Sequence, residues 1–256
     1  SFKKQRTDIS YDFSCLQMDG DRGTNKIITN AGDYLRAVQK QLVSNVEISI
    51  DEEKKYGDEL VSEFKKKYEF ISSGKEINKL NVILENLVSR IANPRGVNYE
   101  IHYVNDETFN VFTLGGHIIF FKGMYDFCKS DDEIASIISH EIAHNELGHQ
   151  ILVLQKIKFA KQSGIPTDLS NLAIGLESQI TAAGKQKQET EADLFGMDIM
   201  YPTVYKTCKS IELWDRMAKE ENINFFNNLF RSHPYSKSRS ECVSNHLNKN
   251  YNKKCN

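Results

Sequence analysis

The segment His140-Glu141-Ile142-Ala143-His144 constrains this chain more than any other. It lies in a run that reads as helix, where residues four apart share a face, so His140 and His144 can point at one metal ion. Glu141 stands roughly 100° round the helix from His140. Two neutral imidazoles, a metal that acidifies water and a carboxylate that takes the proton make the donor set of a zinc hydrolase. Ser130 is a good N-cap, with Glu133 at the capping-box position and an acidic first turn set against the helix dipole. Ile134, Ile137, Ile138 and Ile142 mark the apolar face. The two histidines and Glu141 fall on its flank, where they would be costly unless paired or metal-bound. An ordinary helix with solvated histidines is the plainer reading, and the full five-residue pattern argues against it.

The chain has 256 residues, enough for one large domain or two small ones. We expect an N-terminal extension over residues 1–32 and a zinc-hydrolase domain over 33–256. With 39% hydrophobic and 27% charged residues, the composition is that of a globular protein. A net charge of -2 speaks against nucleic acid as a partner. No apolar run reaches the roughly 18–20 residues of a membrane span. The chain opens on Ser1 rather than Met, so a trimmed or processed form of a longer, membrane-anchored precursor is compatible with it. Cys15, Cys128, Cys208, Cys242 and Cys255 form no C-x-x-C pair. A disulfide among Cys208, Cys242 and Cys255 would fit an oxidising compartment, and reduced cysteines fit equally.

Helical character runs from Asp33 to about Phe70, with a second start at Ser49-Ile50-Asp51-Glu52, and again from Glu76 to Ala92. Strand candidates follow over residues 98–104, 109–114 and 117–121, with Gly115-Gly116 as a tight turn or bulge. Beyond His149 helices are expected at 151–162, 168–183, 186–200, 210–221 and 236–247. The fold class is α+β: mostly helices, with one small sheet before the motif helix.

A catalytic zinc takes three protein ligands and keeps one position open. Glu189 and Asp193 are i, i+4 on a later helix, so Glu189 can bind zinc while Asp193 orients a ligand histidine. Glu191 points elsewhere on that helix, and Glu146 is displaced from the two histidines. The positions that would hold Gly and His in the H-E-x-x-H-x-x-G-x-x-H class are Leu147 and Gln150, so that class is not matched. His149 is expected roughly 140° from His144, a poor ligand position.

Three motifs in order, His140–His144, Glu189-Thr190-Glu191-Ala192-Asp193 and Ser232-His233-Pro234 with Arg239, resemble the HtpX and CAAX prenyl-protease-type family of zinc metallopeptidases. The soluble BepA-like or LoiP-like branch is the most similar. Asn110 to Ile118 is a weaker match, with Val111 where the family has Ala and no Pro before Gly115. The resemblance implies a zincin-type domain with one catalytic Zn²⁺ on His140, His144 and Glu189, and Glu141 as general base. It puts His233 near the metal, as oxyanion donor or as a gate that ligates zinc, with Arg239 holding that loop. Asn110, Val111, Phe112, Thr113 and Leu114 are candidates for binding an extended substrate by strand addition, if they form an edge rather than an interior strand. The implied partner is unfolded or misfolded protein, and the implied location periplasmic or cell-envelope, with cytoplasmic as the alternative. A non-peptide zinc hydrolase, and a latent or non-catalytic metal-stabilised chaperone module, are the competing readings.

Overall fold

A computed structural model describes residues 4–15, 43–164, 182–219 and 237–255. The elements run α1 (Ile50–Lys65), β1 (Phe70–Ile71), α2 (Lys75–Val88), β2 (Glu100–Val104), β3 (Val111–Leu114), β4 (His117–Phe121), α3 (Lys122–Phe127), α4 (Asp131–Glu146), α5 (Ile151–Gln162), α6 (Ala182–Met200), α7 (Cys208–Lys219) and α8 (Lys237–Tyr251). The α+β expectation holds. The expected helix over residues 168–183 lies almost wholly outside the described residues. The short β1 and α3 have too few residues to show a period in the sequence.

The sheet has the order β1-β2-β4-β3. β2 and β4 pair in parallel, while β1 and β3 pair antiparallel to their neighbours. β4 is buried throughout, with four apolar residues after His117, because it is covered on both faces. Its Ile118 and Phe120 join a core with α2, α4, α6, α7 and α8, and its Ile119 and Phe121 join a second core with α1 and α5. Gly115 and Gly116 both have positive φ, 59° and 87°, as a two-residue hairpin turn requires.

The motif helix α4 departs from the amphipathic expectation. Every residue from Glu133 to Glu146 is buried, because α2, β3, α6 and α7 surround it. Its cap also differs. Ser130 Oγ accepts from Glu133 N at 3.3 Å, but the Glu133 carboxylate accepts from Lys129 N and from Arg216 instead of closing a box on Ser130. At α1 the full box forms between Ser49 and Glu52.

Two disulfides are present. Cys208 pairs with Cys255, as one of the expected combinations, and Cys242 pairs with Cys15 near the N-terminus. Residues 4–15 are fastened further by Gln5 Oε1 accepting from Ala92 N and by Tyr11 donating to Asp198.

Gly57 sets how closely α1 seats on the β3–β4 turn. A Cβ there would lie 2.6 Å from the His117 ring and 2.7 Å from the Leu114 carbonyl. Gly57→Ala should therefore destabilise the fold by about 1–3 kcal/mol in urea unfolding, although alanine is the better helix former by about 1 kcal/mol. A net gain would show that α1 does not bear on the turn.

Candidate metal centre

The i, i+4 spacing on α4 brings the two histidine Nε2 atoms to 3.0 Å from one another. Glu189 on α6 completes the triangle. Its Oε2 lies 3.2 Å from His140 Nε2 and its Oε1 3.4 Å from His144 Nε2. Donors on one tetrahedral ion stand roughly 3.4 Å apart, so the three residues fit a common metal. They form one of two groups among the described residues able to hold an ion, and all three are buried. α6 approaches α4 this closely because Gly196 faces Ser139 and His140; a Cβ there would come within 3.1 Å of the Ser139 backbone.

The outer nitrogen of each histidine is also held. His140 Nδ1 donates to Asp193 Oδ1 at 2.9 Å. Asp193 in turn accepts from Arg239 Nε at 2.7 Å and Nη2 at 2.8 Å. Arg239 stacks on Trp214, whose ring also meets His140 edge-on. On the other side, His149 Nδ1 lies 2.8 Å from His144 Nδ1, and His149 Nε2 lies 3.3 Å from Glu191 Oε2. Each imidazole thus presents Nε2 inward and is oriented from behind, directly or through His149, by a carboxylate.

His149 and Glu191 correct the helical-wheel argument. The helix ends at Glu146, and Gly148 at φ 68° turns the chain so that His149 N donates to the His144 carbonyl at 3.0 Å. The wheel angle did not apply beyond that stop, and Gly148 after the helix was its signal. Glu146 is engaged elsewhere, accepting from Tyr99 OH at 2.8 Å and Arg95 N at 2.9 Å. Asn145 is an unforeseen member. Its Oδ1 accepts from Gly116 N at 3.1 Å, and its Nδ2 donates to Thr113 Oγ1 and to the Glu141 carbonyl.

The charges are unequal. Glu141, Glu189 and Asp193 are all buried, as is the Arg239 guanidinium. Burial pushes His140 down, but Asp193 and Glu189 outweigh it and hold its pKa up at about 10. Burial lowers His144 to about 3. Burial raises Asp193, and the Arg239 charge with His140 overcomes it, so the carboxylate sits below its ordinary value. A proton on His140 thus stands where a cation would otherwise compensate the carboxylates.

Among the described residues β3 is the terminal strand of the sheet, and all four of its residues are buried. Phe121 N donates to the Asn110 carbonyl, so by alternation the backbone groups of Val111 and Thr113 face away from β4. Gln150 Nε2 reaches the Thr113 carbonyl at 3.3 Å. Arg239 is found on Asp193. His233, and the loop that Arg239 was expected to hold, lie outside the described residues.

The model of peptidase family M48 matches residues 75–246. The mitochondrial metalloendopeptidase OMA1 of Saccharomyces cerevisiae is 35% identical over 60% of this chain and 48% of its own length. The metalloprotease LoiP of Escherichia coli is 23% identical over 91% of this chain and 90% of its own. The metalloprotease YcaL of the same organism is 25% identical over 68% of this chain and 70% of its own. The chain spans about half the length of the yeast OMA1 relatives it matches.

Arg239 and Asp193 form a buried pair, 2% and 3% exposed. Arg239→Leu removes the guanidinium that balances the buried Asp193 carboxylate and should cost about 3–5 kcal/mol in chelator-treated protein unfolded by urea. A loss below about 1 kcal/mol would mean that water already reaches the pair.

Proposed function

The chain belongs to peptidase family M48, and on that premise we propose that it is a zinc-dependent endopeptidase acting on unfolded or misfolded protein. The observation that carries this reading is the buried His140, His144 and Glu189 triangle beside a buried Glu141. A zinc ion held there would supply Lewis acidity to a water and to the peptide carbonyl. Asp193, and His149 with Glu191, keep both imidazoles in the tautomer that offers Nε2. Glu141 accepts the proton of the attacking water and returns it to the leaving amine. A structural metal would have no use for that carboxylate. His233 is the proposed second donor to the developing oxyanion, or the gate of a latent state.

Substrate enters as an extended strand along β3. The outward groups of Val111 and Thr113 offer the rungs, and the Gln150 amide on the Thr113 carbonyl would be displaced. Asn145, next to His144 and bonded to Thr113, ties that edge to the metal helix. The two disulfides support an oxidising compartment, and we propose the cell envelope. No helix among the described residues is long and apolar enough to cross a membrane.

Glu141→Gln should lower kcat for casein cleavage by at least about a thousandfold with zinc content unchanged. Undiminished cleavage would sink the assignment of the base. Undetectable cleavage by the zinc-loaded parent, with Glu141→Gln equally functional in cells, would favour a non-catalytic role.

Metal binding must displace the His140 proton. The apparent Kd for Zn²⁺ should fall about tenfold per pH unit from about pH 6 to 8, with about one proton released in calorimetry across buffers of different ionisation enthalpy. A pH-independent Kd would contradict a protonated His140 in the metal-free site.

A further inference from the structure

A second histidine cluster lies on the other side of the sheet. β2 and β4 run parallel with Glu100 opposite His117, so Glu100, His102 and His117 project from one face. That face carries Val104, Ile119 and Phe121 into the core under α1, whereas Ile118 and Phe120 point toward α4. The cluster is therefore separated from the catalytic triangle by the thickness of the sheet.

Its donors converge. His102 Nε2 lies 2.8 Å from His117 Nδ1, and Glu100 Oε2 is 4.0 Å from the same Nδ1. One ligand atom from each residue falls within 4.8 Å of the others. Asp58 on α1 accepts from His117 Nε2 at 2.8 Å. That fixes the proton on Nε2 and leaves Nδ1 a lone pair facing His102, the arrangement by which Asp193 orients His140. Lys54 bonds Asp58 Oδ1 at 2.9 Å and Glu100 Oε1 at 3.3 Å, which leaves Glu100 Oε2 turned toward the histidines. Gly57 makes room for the His117 ring. The Glu100 side chain is 46% exposed against 4% for His117, so the cluster opens to solvent on the Glu100 side.

We propose that Glu100, His102 and His117 form a second, non-catalytic site for a divalent transition metal, with Asp58 orienting His117. Two imidazole nitrogens and one carboxylate suit Zn²⁺, Cu²⁺ or Ni²⁺ over Mg²⁺ or Ca²⁺. An ion there ties β2 to β4 and, through Asp58, fastens α1 to the sheet.

The test counts ions on the intact chain. After dialysis against micromolar free Zn²⁺, elemental analysis should give two ions per chain, and His102→Gln should retain one while still cleaving casein. Glu100→Gln, at an exposed position that leaves the fold intact, should weaken the second ion by about tenfold. His144→Ala should keep one ion, lost on adding His102→Gln, so this site stands or falls independently of the endopeptidase reading. One ion in the parent chain that His102→Gln retains, or two in both His102→Gln and Glu100→Gln, would overturn the proposal and leave the cluster as a hydrogen-bonded relay from His102 through His117 to Asp58.

Discussion

The Asp193 carboxylate, gripped between His140 and Arg239, is the contact on which the rest of the site depends. It is the meeting point of three helices distant in sequence: α4 supplies the imidazole, α6 the carboxylate and α8 the guanidinium. A lone buried carboxylate would cost several kcal/mol, so neither α6 nor α8 can shift without exposing an uncompensated charge. The fold holds both in place by other means. Gly196 lets α6 close on α4, Trp214 of α7 provides a wall for Arg239, and disulfides at Cys242 and Cys255 secure the C-terminal helix and the chain just beyond it.

The burial of α4 follows from the same arrangement. A helix with Ser136, Ser139, His140, Glu141, His144, Asn145 and Glu146 all in the interior needs a partner for each polar group. Several are visible: Ser136 meets Ser210, Asn145 meets Gly116 and Thr113, Glu146 meets Tyr99 and Arg95, and Glu133 meets Arg216. These contacts join the metal helix to the sheet on one side and to α7 on the other. The candidate ligand atoms are thus set on helices held in place by other contacts, which is what a precisely placed metal ion would require.

Much of this was legible in the residues, and the failures have physical reasons. The i, i+4 periods of His140/His144 and Glu189/Asp193 place donors on helix faces without tertiary knowledge. Glu189 was distinguishable from Glu191 by the same rule. Two properties were not legible. The wheel cannot see past a helix stop, so His149 was set aside although Gly148 marked the turn that brings it back to His144. Pairing across long separations leaves no local trace, which hid the Cys15–Cys242 bridge and the Arg216 contact that draws Glu133 away from its cap. Glu100 and His102 looked like ordinary residues of an alternating strand until β4 was set beside β2 in parallel.

The central claim is that His140, His144 and Glu189 jointly hold one zinc ion. Anomalous diffraction at the zinc edge, on crystals of the zinc-loaded chain, reads it directly. The account predicts a peak bonded at about 2.0–2.2 Å to both Nε2 atoms and to a Glu189 carboxylate oxygen. A zinc ion between the two histidines whose remaining protein ligand is any residue other than Glu189 would contradict it.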